Sequence, residues 1–178
     1  MNLELKHLAP YFANKLHLLD DSNTHCILTT LHLDCVDVEY SYNVGSYEMP
    51  FKGIKPILRP LSQLTETIEH NGEKFVPMVE LAKVQYPVSF EIIENECVGR
   101  LSIGVVLEFF IQDEIPFYKE FHNNIFGQTK DNDFDDMTLA NITPSEIRGK
   151  LLEWHFDVFG LIENNLAIAV TDELNPYK

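Results

Sequence analysis

TPSEIRGKLLEWHFDVFGL, residues 143–161, carries the strongest single pattern in the chain. Thr143 is a helix cap by residue type, and Pro144 suits the first helical position because its φ is already fixed and its missing N–H is not needed there. At 100° per residue, Ile147, Leu151, Leu152, Trp154, Phe156, Val158 and Phe159 share one half of a cylinder, while Glu146, Lys150, Glu153 and Asp157 share the other. The spacing predicts an amphipathic helix that covers a sheet and anchors the core. Arg148 and His155 interrupt the apolar half, seven residues apart, which is roughly 10.5 Å along the axis. A histidine in such an arc is most simply a neutral core residue donating to a carbonyl, because buried polar groups nearly always have partners. Arg148 reaches solvent by snorkelling or pairs with an acid. The alternative for both is a shared pocket with a cationic wall, suited to a carboxylate or phosphate.

The partner of that helix has to be a sheet, and the first half of the chain supplies strands. Val36, Val38, Tyr40, Tyr42 and Val44 alternate with Asp37, Glu39, Ser41 and Asn43, the period of a strand with one face buried. Residues 15–19 and Thr24 to Asp34 read as strands on either side of an Asp20–Asn23 turn. Gly45 to Gly53 reads as a loop. Ser62 to His70 reads as a two-turn helix that Asn71–Gly72 stops, and Val76 to Lys83 as a second short helix. Val88, Phe90 and Ile92 open a hairpin whose second strand runs unbroken from Leu101 to Ile111. Pro116 to Phe126 reads as a short helix, residues 128–136 as a polar loop, Leu166 to Val170 as an edge strand, and the tail as frayed. The fold class expected is α+β: a single domain over residues 1–178, with antiparallel sheet and a C-terminal amphipathic helix packed on it.

A chain of 178 residues, 45% hydrophobic and 23% charged, is long enough for a core and too apolar for disorder. The longest apolar run is interrupted at Glu108, which excludes a membrane span, and the N-terminus lacks a basic-then-apolar leader. Cys26, Cys35 and Cys97 are far apart and form no CxxC, so reduced thiols in the cytoplasm are expected rather than a zinc site. The net charge of −15 is uneven. Residues 1–50 hold 7 acids against 2 bases, residues 51–90 hold 4 against 5, and residues 91–178 hold 17 against 6. Such a field repels phosphate backbones, which disfavours direct nucleic-acid binding.

Lys55 to Pro60 is a basic, proline-bracketed run, stiff and extended; it suits an edge strand protected by proline and charge, or a ridge that binds a partner or an anion. The candidate partner or anion site is therefore Lys55, Arg59, Arg148 and His155. Asp131, Asp133 and Asp135 have the spacing of calcium ligands, but Asp136 stands where the turn needs glycine and Ile142 where it needs glutamate. On a strand, His32 and Asp34 share a face and could begin a metal or acid–base site, although a site needs more ligands. His155 and Asp157 have the same spacing, which on a helix points them roughly 200° apart. No phosphate loop, nucleophile elbow or HExxH is present. No catalytic residue, cofactor or metal is assigned, and the expectation is a non-enzymatic protein.

The segments KPILRPLSQLTETIEHNGEKFVPMVELA (residues 55–82), LLEWHFDVFGLIENNLAIAV (151–170) and HLAPYF (7–12) cover about a third of the chain. They resemble small uncharacterised proteins encoded by phages and prophage-like elements of gut anaerobic bacteria. The resemblance implies a cytosolic role in a bacterial host and carries no activity with it. The function expected is a protein-interaction module with a protein partner. One alternative is an acidic DNA-mimic decoy of a host nucleic-acid-binding protein. Another is a small metal-dependent hydrolase or nuclease using His32, Asp34 and neighbouring acids such as Asp37 with a divalent metal. The oligomeric state is left open.

Overall fold

A computed structural model describes residues 2–42, 45–83, 89–94, 96–102, 105–112, 115–122, 137–139 and 144–178, with backbone alone from 100 to 144. The first elements are α1 (Leu5–Leu8), β1 (His17–Asp20), β2 (His25–Leu31), β3 (Cys35–Tyr40), β4 (Ser46–Pro50) and β5 (Ile54–Leu58). Next come β6 (Ile68–His70), β7 (Glu73–Phe75), α2 (Pro77–Lys83), β8 (Phe90–Ile93), β9 (Glu96–Ser102), β10 (Val105–Gln112), β11 (Ile115–His122) and β12 (Met137–Leu139). The chain closes with α3 (Pro144–Glu153) and β13 (Ile168–Ala169). The class is α+β, with mostly antiparallel sheet.

These elements group into two compact units, residues 1–61 with 150–178, and residues 62–149. The first unit holds a six-stranded sheet in the order β13–β5–β1–β2–β3–β4, antiparallel throughout except where β13 runs parallel to β5. Strand alternation sorts its side chains. Leu18, Cys26, Leu28, Val36, Val38, Ile54 and Leu58 are buried in one core with Leu8, Tyr11 and Leu161. The intervening positions point the other way, and there Ile57 packs with Val170 and Tyr177 in a second, smaller cluster. The second unit holds the sheet β12–β11–β10–β9–β8 and the hairpin β6–β7.

Several expected elements are replaced. The loop over 45–53 contains β4, which Val36 and Val38 recruit opposite Met49 and Tyr47, followed by a 3₁₀ turn over Phe51–Gly53. The helix over 62–70 is a 3₁₀ turn over Leu61–Thr65 and then β6. Asn71 and Gly72 both have positive φ (52° and 81°), the signature of a tight hairpin turn rather than a helix stop. The unbroken strand from Leu101 to Ile111 is two antiparallel strands, with Ser102 opposite Val105. The helix from Pro116 is strand β11, paired along its length with β10. Residues 43–44, 88, 103–104, 123–126 and the loop 128–136, with its calcium-like pattern, lie outside the described residues. Strand β5 is flanked on both sides, by β1 and by the short β13, so the basic proline run is not an edge. The tail is held rather than frayed: Tyr177 is 5% exposed and its hydroxyl donates to the Ile57 carbonyl at 2.5 Å.

The helix expected to reach Leu161 ends at Glu153. Phe156 N–H donates to the Leu151 carbonyl at 2.8 Å and His155 N–H to the Leu152 carbonyl at 3.1 Å, with His155 left-handed at φ 61°. That pair of bonds is a Schellman closure with His155 in the position glycine usually takes. Apolar spacing continued past the closure, so periodicity alone did not mark it.

Candidate functional site

After α3 closes, three consecutive residues lie beside Arg59, the residue that follows β5. Arg59 N–H donates to the His155 carbonyl at 2.7 Å, and Asp157 N–H donates to the Arg59 carbonyl at 2.8 Å, making a parallel bridge between Arg59 and Phe156. The Tyr11 hydroxyl donates to the Phe156 carbonyl at 2.6 Å. The buried Asp157 carboxylate then accepts from Leu161 N–H and Ile162 N–H, one oxygen each at 2.8 Å, and so shapes the following turn.

Around this bridge the aromatic and imidazole rings stack. His155 lies 3.9 Å from Tyr177, ring centre to ring centre and 16° from parallel, with Tyr11 at 6.4 Å and 13° from parallel. The Arg59 guanidinium sits 5.7 Å over the Tyr177 ring, a cation–π geometry, and reaches the Asn175 side-chain oxygen at 3.5 Å. Burial lowers the pKa of Arg59, and the Tyr177 hydroxyl beside it offsets part of that shift. Burial raises the pKa of Tyr177. His17 meets the edge of Tyr177 at 5.1 Å and continues to His25, whose ring is 4.8 Å away and nearly parallel. Nδ1 of His17 and Nε2 of His25 are 2.7 Å apart, so one ring carries the shared proton and the other accepts it. Burial first, then the neighbouring His25 and Lys15, bring the pKa of His17 down to about 4; burial also lowers that of His25.

The candidate cationic residues are thus distributed. Arg59 and His155 meet through their backbones and are both buried, Arg59 at 2% exposure. Lys55, on β5 four residues before Arg59, is exposed and borders two cavities of about 200 and 240 Å³. The first also takes in Lys52, Phe51 and Leu166, the second Asp20 and Asp21. Arg148 is half-buried on the part of α3 assigned to the other unit. His32 and Asp34 are in the turn between β2 and β3 rather than on a strand, and His32 pairs with Asp37 at 3.1 Å instead. Among the described residues, no group of three or more His, Cys, Asp or Glu is placed to hold a metal ion. Burial pushes the thiols of Cys26 and Cys97 up to about 12, well away from a reactive thiolate.

Sequence reasoning missed Tyr11, Tyr177, His17 and His25. The two histidines had a usable signal, since they flank the Asp20–Asn23 turn at positions that a hairpin puts on one face as diagonal neighbours, His17 opposite Ile27 and His25 opposite Leu19. Tyr177 had none, because its hydroxyl acceptor, Ile57, is 120 positions away and no local period ties the tail to His155. No family model, curated protein or solved structure matches the chain. Among the described residues no helix is long and apolar enough to cross a membrane.

Proposed function

We propose that this chain is a protein-interaction module of the phage or prophage type, acting by binding a protein partner rather than by catalysis. The observation that carries the reading is a set of large apolar side chains left in water: Leu33 is 87% exposed, Tyr42 72% and Tyr47 41%. Singly they would be ordinary, but Tyr42 and Tyr47 both lie against Tyr40, at 5.4 and 5.6 Å, and so form one aromatic surface. The groups that would otherwise suggest chemistry, Arg59, His155 and Asp157, are engaged in the backbone bridge that follows α3. The test is capture on the tagged full chain from the cytosol of an anaerobic gut bacterium, followed by reconstitution with the purified captured protein. A saturable complex of fixed stoichiometry is expected. Failure of every captured protein to re-form a complex would sink the reading.

A second reading, the DNA-mimic decoy, is supported by the 16 acids against 6 bases in residues 62–149. In that case duplex DNA displaces the chain from its partner, and the complex weakens steeply with salt.

A further inference from the structure

We propose that the outer edge of β4 receives an extended, Lys- or Arg-bearing segment of a partner protein, which adds to the sheet as a seventh strand. This rests on the interaction-module reading and names its partner. Among the described residues strand β4 ends the sheet order, and in an antiparallel ladder alternate residues of such a strand turn their N–H and C=O groups away from the strand they pair with. Ser46, Tyr47, Glu48 and Pro50 are exposed. Pro50, which lacks an N–H, limits the added strand at that end. At the other end stands the Tyr40, Tyr42 and Tyr47 surface, whose ring faces suit a cation.

The sign of the occupant follows from the sequence around the edge. Residues 16–51, which contain β1 to β4, hold six acids (Asp20, Asp21, Asp34, Asp37, Glu39 and Glu48) and no Lys or Arg. Glu48 on β4 is opposite Asp37 on β3, with the exposed Glu39 two residues further along, so a strand laid along β4 meets a carboxylate face in which Asp37 is paired with His32. A second copy of the chain is the poorer occupant, because β4 against β4 would bring the same carboxylates together without a counter-charge. Backbone pairing gives such a site its affinity, and the charge pattern selects the partner and speeds encounter.

The probe is a blocked peptide of alternating Lys and Val, long enough to span β4, with alternating Glu and Val as its control. Amide hydrogen exchange on the full chain is expected to slow at residues 46–49 with the Lys–Val peptide and not with the Glu–Val peptide. Glu39→Lys combined with Glu48→Lys changes only exposed side chains and is expected to weaken Lys–Val binding by about tenfold or more. Tyr42→Ser with Tyr47→Ser tests the aromatic surface separately, and circular dichroism verifies that each variant folds. Equal protection by both peptides, protection confined to another strand, or dimerisation of the free chain through β4 would overturn the proposal. If a captured partner binds the Glu39→Lys, Glu48→Lys variant as well as the parent, the edge fails and the interaction reading survives. If no captured protein re-forms a complex while the Lys–Val peptide still protects β4, the edge chemistry stands and the broader reading falls.

Discussion

His155 holds a left-handed backbone at the end of α3, where a Cβ crowds the following carbonyl and costs about 1–2 kcal/mol relative to glycine. The side chain offsets that cost by stacking between Tyr11 and Tyr177. The two contributions are separable. His155→Ala keeps the backbone crowding and loses the stack, whereas His155→Gly loses both, so in urea the alanine variant is expected to be less stable than the glycine variant by about 1 kcal/mol. Equal midpoints would show that the crowding is not real. His17 supplies a pH test. Its folded pKa of about 4 lies below its ordinary 6.5, so between those values the unfolded chain binds the proton more readily. Its contribution is complete above pH 6.5 and declines as pH falls toward 4. His25 contributes in the same direction, and the nearby Lys15 also disfavours the protonated His17. The measurement is the urea midpoint at pH 7.5, 6 and 5, compared with His17→Gln, which is expected to flatten the slope over the upper part of that window.

At the scale of elements, the β8–β9 hairpin depends on one glycine. Phe90 is opposite Gly99, and a Cβ built on Gly99 would lie 2.6 Å from the Phe90 ring, closer than such contacts occur. Phe90 is buried, so the ring has little room to retreat. Gly99→Ala is expected to destabilise the fold by about 1–3 kcal/mol, the range of overpacked cores. Phe90→Leu introduced beside it is expected to recover part of the loss, measured as a positive coupling in a double-mutant cycle. Elements were legible where their pattern was local. Val36, Val38 and Tyr40 announced β3, and Pro77 opened α2 as expected. The helices expected at 62–70 and from Pro116 do not form because strand pairing outweighed weak local helix preference, and Asn71–Gly72 serves equally well as a helix stop and as a hairpin turn.

At the scale of the whole molecule, the last residues close the unit formed by 1–61 and 150–178. Tyr177 contributes a ring against His155, His17 and Arg59 and a hydroxyl to the Ile57 carbonyl. Tyr177→Phe removes the hydroxyl alone and is expected to cost about 1 kcal/mol, whereas deleting residues 171–178 also removes the ring and is expected to cost about 3–5 kcal/mol. Thermal melts of the two variants check this, and a tail deletion no worse than Tyr177→Phe would contradict the role given to the ring. By itself the sequence determined the α+β class, the run of early strands, the acidic balance and the segregation of apolar from polar faces, since these follow from composition and from periods of two and 3.6 that neighbouring residues express together. Only the tertiary structure decided where α3 stops, that β4 ends the described sheet, and that Tyr11, His155, Arg59 and Tyr177 meet. The stop is a local left-handed closure at His155 that apolar spacing does not register, and the other two depend on hydrogen bonds and ring contacts between residues far apart in the chain.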